Sequence, residues 1–279
     1  MATIKIDDDF DLKKIAESGQ CFRPREIRAG LYRFITKENI LFIRQLDEKH
    51  FEISCDPLEW SGIWETYFDL DTNYAKIRRD IAEFAAGKPY EKILTDAAEF
   101  GKGIRILRQD PFETLISFII SQRKNIPSIR KSVELICDAF GKIIRTDYGS
   151  VRTFPDYFKL SDASIMDLSS FALGYRSKYV RDAIDKVNNM SVNLDNLKSV
   201  SNETLIKTLQ QINGVGIKVA CCVALYAYHR TDVLPIDVWI QRAIEEDFGG
   251  ENIFKDFGYN AGVLQQYIFF HKRLGEKEF

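Results

Sequence analysis

"INGVGIKVACCVALYAYHRTDVLPID", Ile212 to Asp237, sets two glycines, a lysine, two adjacent cysteines, a proline and an aspartate around an otherwise apolar run. The preceding stretch NETLIKTLQQI has helical spacing, and IKVACCVALYAYH has it again. NGVG is too short for a long loop, so the pattern predicts two helices joined by a hairpin. Glycines there permit positive φ and the close approach of another backbone. The second helix opens with N–H groups that no earlier turn satisfies, and these suit a phosphate. Such a contact holds a nucleic-acid backbone without reading its sequence. Gly-x-Gly alone is more often a plain turn between antiparallel helices.

Lys218 gives the turn a sharper meaning. It falls two residues past Gly216, in the first helical turn, where positive charge opposes the dipole and Asp or Glu would be favoured. The placement predicts a destabilised ammonium, and the neutral amine is the form that attacks carbon. An ordinary lysine, with a pKa of about 10.4, is almost wholly protonated at neutral pH. Asp237 follows Leu-Pro-Ile and precedes VWIQRAIEEDF, the setting of a helix N-cap. The intervening helix and return loop are long enough to bring it back beside Lys218.

The rest of the chain supplies the frame. Its 279 residues suffice for two cores, and no apolar run approaches the roughly 20 residues of a membrane span. MATIKIDDDFDLKK lacks a signal peptide's layout, and the five cysteines form no CxxC pair. A cytoplasmic protein with no disulfide framework, no metal centre and no cofactor is expected. Net charge is −2, yet Lys102 to Lys131 holds seven basic against two acidic residues, which predicts a local basic face. LYRFIT, ILFIRQL and HFEISC read as strands, whereas helical periodicity begins after DPLEW. Asp110, Pro111 and Glu113 form an N-cap, first-turn proline and capping-box signature ahead of the apolar PFETLISFIISQ. The expected class is α+β: an N-terminal antiparallel sheet domain over 1–100, then a helical bundle over 101–279 that contains the helix-hairpin-helix.

With its lysine and following aspartate, the hairpin resembles that of bifunctional helix-hairpin-helix DNA glycosylases. SGQCFRP (Ser18 to Pro24), LRQDPFETLISFIISQRKNI, LGYRSKYV and AGVLQQYIFF are similar, in that order, to segments of the 8-oxoguanine DNA glycosylase branch, and they span nearly the whole chain. The resemblance implies a monomeric, nucleoid-associated enzyme that flips 8-oxoguanine out of duplex DNA. By the same resemblance Lys218 displaces the base, forms a Schiff base with the sugar and permits β-elimination, while Asp237 steadies the developing positive charge. Phe269 and Cys222 would sandwich the base, Gln265 would bind its Watson–Crick edge, and the Gly19 carbonyl would accept from N7–H. Asn213, Gly214 and Gly216 would anchor DNA, with Arg123, Tyr175, Arg176 and Trp239 as further contacts. Two other readings share part of this pattern. A glycosylase for other damaged purines lacks the lysine, and a non-catalytic binding module needs neither Asp237 nor the Gln265/Phe269 helix.

The chain departs from the family in one segment. Where eukaryotic members carry an asparagine and an arginine that read the cytosine left behind, SQRKNIPS places Arg123 and Ser128. Tyr175 and Arg176 still match the wedge tyrosine and the remaining arginine. Serine cannot replace an arginine's paired donors, and Arg123 lacks an amide's combination of donor and acceptor. Relaxed specificity for the opposite base is therefore expected.

Overall fold

The structure, a computed structural model, describes residues 1–275. Alternating aromatic and β-branched residues pair β3 (Leu31–Thr36) with β4 (Asn39–Gln45), Phe34 opposite Leu41. Their two-residue turn takes a left-handed Lys37, φ 53°. With β1 (Ala2–Lys5), β2 (Arg25–Arg28) and β5 (His50–Ile53) they form a five-stranded antiparallel sheet of order β1-β5-β4-β3-β2. Phe34 and Phe51 on its inner face pack with Phe10, Trp60, Trp64, Tyr67 and Phe68 in one aromatic core. A second, two-stranded hairpin joins β6 (Ile143–Thr146) to β7 (Gly149–Arg152). The sequence reading did not include it, because so short a run gains its apolar cover only in the fold. Val151 packs with Leu31, Ile35 and Phe42, and Tyr148 lies on Phe42 with ring centroids 4.3 Å apart.

Helices make up the other core, and those of Tyr74–Ala85 and Glu91–Phe100 belong to it. At its centre is the helix Pro111–Ser121, buried on nearly every side. Asp110 caps it, accepting from the N–H groups of Phe112 and Glu113 at 3.0 Å each. The expected capping box does not close. Glu113 makes no return bond to Asp110, and burial pushes its carboxyl up to about 7 against the pull of Arg23. The reciprocal pair occurs instead at Ser164 and Asp167.

Arg105 fastens the two cores together. Fully buried, it donates to the carbonyls of Phe68, Asp69, Thr72 and Asp9 and to the Asp8 carboxylate. Arg108 pairs with Asp69 at 2.6 Å. These contacts correct the expected basic face between Lys102 and Lys131: two of its arginines serve the seam between the cores. No helix among the described residues is long and apolar enough to cross a membrane.

Candidate active site

Helix Asn202–Leu209 runs through the turn Ile212–Gly216 into helix Ile217–Tyr228, as the glycine pattern requires. Gly214 sits at φ 80°, and a Cβ there would come within 2.3 Å of the Tyr179 ring. Its close approach is thus to the protein's own aromatic side chain. The Gly214 carbonyl accepts from Gln122 Nε2 at 3.1 Å, and the Asn213 N–H donates to Asp182 at 2.7 Å. Gly216 differs: nothing lies within 4 Å of its would-be Cβ, and no side chain caps the helix it opens. The Lys218 helix therefore starts uncapped with open space beside Gly216, the arrangement that suits an anion.

Lys218 turns inward from this first turn. Its Nζ lies 5.3 Å from the centroid of Phe118 on the central helix, and Phe118 itself stacks on Tyr226 at 5.4 Å. The sequence-based expectation of a destabilised ammonium is not met. Burial acts in that direction, but Cys222, one helical turn on, and Asp237 outweigh it and hold the ammonium above its ordinary value. Asp237 caps helix Val238–Arg242 through Oδ1, accepting from Trp239 N and Ile240 N at 3.0 Å each. Oδ2 accepts no hydrogen bond among the described residues. The cap predicted from sequence and a carboxylate facing the cleft thus coexist in one side chain.

Both groups line a cleft of about 1260 Å³, whose wall also includes Gly19, Phe22, Arg123, Trp239 and Phe269. Gly19 is held by its neighbours. Gln266 donates to the Ser18 carbonyl at 2.9 Å, and Gln20 bridges Arg105 O and Leu107 N at 2.8 and 2.7 Å. With φ at 84°, Gly19 brings its backbone against Phe269, whose ring would stand 3.1 Å from a Cβ. Gln265 precedes Phe269 by one turn on the C-terminal helix Ala261–Leu274, is buried, and leaves Oε1 without a partner. A buried orphan acceptor is costly, although Gln265 itself is not among the residues lining the cleft. Cys222 is buried beside Lys218, and desolvation raises its thiol.

On the other flank, Tyr175 is 52% exposed, the geometry of a wedge, with the Arg176 guanidinium 4.4 Å from its ring centroid. Arg176 is buried and gives Nε to the Gln122 carbonyl at 2.7 Å, with Nη2 on the same oxygen and Nη1 on Leu173 O. Its donors are held by backbone rather than presented outward. Arg123 is exposed at φ 51°, and the exposed Ser128 gives its N–H to the Asn125 cap at 2.9 Å. Trp239 sits half-buried under Arg242, 5.6 Å from the ring centroid. Sequence reasoning missed Phe22, Phe118, Gln122 and Arg273 on this cleft. Only Arg273 carried a readable signal, since it follows Phe269 by four residues on one helix face.

Comparison with known proteins identifies relatives of the whole fold. Residues 3–115 match the family model for the N-terminal domain of 8-oxoguanine DNA glycosylase. A probable N-glycosylase/DNA lyase of Methanothermobacter thermautotrophicus is 25% identical, over 95% of this chain and 94% of the relative. The solved structure of MBOgg1 in complex with a low-affinity DNA ligand is 34% identical, covering 98% of this chain and 96% of that one, with a TM-score of 0.91. A Clostridium acetobutylicum 8-oxoguanine glycosylase/lyase, bound to dsDNA with cytosine opposite 8-oxoG, is 29% identical over 100% of this chain and 99% of its own, with a TM-score of 0.88.

Proposed function

This chain belongs to the 8-oxoguanine DNA glycosylase family of helix-hairpin-helix enzymes, and we propose that it excises 8-oxoguanine from duplex DNA and then cleaves the strand, with Lys218 as nucleophile. The observation that carries this reading is the convergence of Lys218 and Asp237 on one cleft with Gly19 and Phe269. The uncapped helix start at Gly216 receives a backbone phosphate. Tyr175 takes the place of the extruded nucleotide, which enters the cleft at a cost of a few kcal/mol in unpairing and unstacking. Phe269 stacks on the base, and the orphan Oε1 of Gln265 accepts from the N–H groups of its Watson–Crick edge. The Gly19 carbonyl accepts from N7–H, a proton that guanine lacks, so an unmodified base sets two lone pairs against each other.

Lys218, held as an ammonium in the free protein, gives up a proton before its lone pair attacks C1′. The bond to the base breaks as the new C–N bond forms, and the base leaves with the bonding electrons. The attached nitrogen loses one proton and its lone pair opens the sugar ring, O4′ taking up a proton, to give a protonated Schiff base. This withdraws electrons so that a proton leaves C2′, the C2′–C3′ double bond forms and the C3′–O bond breaks to release the 3′ phosphate. Asp237 steadies the positive charge that grows on the sugar. Incubating the chain with a duplex bearing a single 8-oxoguanine tests the reading. Strand scission without added alkali is expected, and release of the base with an intact strand would show a glycosylase without lyase chemistry.

A second element of the reading is relaxed opposite-base specificity. Arg123 and Ser128 stand where the family's cytosine-reading side chains would be, and Arg176 is tied to the Gln122 carbonyl. Each lost base contact removes about 1 to 3 kcal/mol of discrimination.

A further inference from the structure

Gln265, Phe269 and Arg273 are four residues apart on the C-terminal helix and so share one face. Arg273 lines the same cleft as Lys218. Its Nη2 is anchored on the Glu17 carbonyl, and its guanidinium carbon lies 5.2 Å from the Phe269 ring centroid. Nη1 stands 3.1 Å from the point where Gly19 would carry a Cβ. It donates no hydrogen bond among the described residues, and the buried Nε has no partner. The stacking ring is thus flanked by two unsatisfied polar groups, an acceptor on Gln265 one turn before it and donors on Arg273 one turn after it.

We propose that Arg273 is a specificity-determining residue that donates a hydrogen bond to O8 of the flipped base. The inference rests on the reading of this cleft as an 8-oxoguanine pocket with Gly19 at N7. Oxidation of guanine at C8 creates a donor, N7–H, beside an acceptor, C8=O. Arg273 Nη1, close to the Gly19 backbone, with the Gly19 carbonyl as acceptor, supplies the complementary pair of acceptor and donor. Guanine offers neither partner, because its N7 is an acceptor and its C8 carries only hydrogen. Two contacts thus read the same chemical change, and the one from Arg273 is charge-assisted and already oriented by its bond to Glu17. Together they divide the base's edges between backbone and side chain.

Single-turnover excision by the full chain tests the assignment with Arg273→Leu and Arg273→Lys, on duplexes holding 8-oxoguanine, 8-thioguanine or an abasic site. Loss of a charge-assisted bond predicts a fall of about tenfold to a hundredfold for Arg273→Leu on 8-oxoguanine, with Arg273→Lys recovering part of it. 8-Thioguanine keeps N7–H but offers a poor acceptor at C8, so there the same substitution costs under about twofold. Cleavage at the abasic site, which needs Lys218 but no base, stays within about twofold of wild type. Unchanged excision of 8-oxoguanine overturns the proposal. So does an equal loss on the two lesions, or a parallel loss at the abasic site, either of which assigns Arg273 a packing role beside Phe269. The wild-type rate on 8-oxoguanine tests the parent reading separately, and no excision by wild type overturns both.

Discussion

Gly19 and Arg123 both stand at positive φ on the wall of one cleft, at 84° and 51°, yet they are built for different tasks. Gly19 is clamped between Gln20 and Gln266, and its lack of a side chain lets backbone meet Phe269 and Arg273. Arg123 is an exposed long side chain in a backbone region that disfavours L-residues by about 1 to 2 kcal/mol. On the side proposed for the lesion, buried hydrogen bonds hold both neighbours of Gly19, whereas the side proposed for the opposite strand carries the exposed Arg123 and Arg176, whose donors face backbone. On this reading, the groups beside the flipped base are already held by hydrogen bonds in the free protein. The other flank has fewer fixed groups with which to choose.

The largest expected effect falls on the lesion side. Lys218→Gln removes the nucleophile and should abolish excision while leaving duplex binding near wild type in a gel-shift titration, because the phosphate anchor is backbone. Asp237→Asn keeps a side-chain oxygen for the cap and removes the charge. Single-turnover excision should fall by about 10² to 10³, with little change in melting temperature. Equal losses in activity and stability would reduce Asp237 to a structural cap and break the contrast between chemistry and scaffold.

The hydrogen bonds of the lesion side run into the seam between the cores at Arg105, and acid tests that seam. Burial pushes the Asp69 carboxyl upward, but His229, Arg108 and Tyr74 outweigh it and bring it to about 2 from 3.8. Because the folded value is depressed, this stabilisation is complete above the unfolded value and is lost as pH falls from about 4 through about 2. Denaturant unfolding should show a drop on the order of 2 kcal/mol for wild type in that window, with a smaller drop for Asp69→Asn. The smallest effect lies on the opposite flank. Excision of 8-oxoguanine opposite adenine, guanine or thymine should be within about tenfold of that opposite cytosine, measured on four duplexes alike in every other base pair. A strong preference for cytosine would show that Arg123 or a released Arg176 supplies the readout and would remove the asymmetry.

Much of this was legible in the chain because the signals are local. Gly-x-Gly with Lys218 and Asp237 predicted the hairpin, the helix start and the cap, and helical spacing predicted helices over 217–229 and 261–274, which form as Ile217–Tyr228, ended by the left-handed His229, and Ala261–Leu274. What escaped depends on partners far away in sequence. The β6–β7 hairpin is covered by sheet residues more than 100 positions earlier, and Arg105 looks like a surface charge until Phe68, Asp69 and Thr72 surround it. The Lys218 ammonium was misjudged only partly for this reason: Cys222, the larger opposing influence, is one turn on along the same helix, whereas that of Asp237 arises from a loop that returns only in three dimensions. Arg273 carried the right spacing, but only the approach of Gly19 gives its position chemical meaning.

Reduction with borohydride, followed by peptide mapping, tests the central claim most directly. The chain is incubated with a duplex containing one 8-oxoguanine, the imine is reduced to a stable amine, and the DNA-linked residue is identified by mass. The account predicts one covalent adduct on Lys218, absent from Lys218→Gln. An adduct on another amine, or efficient excision with no adduct at all, would contradict it.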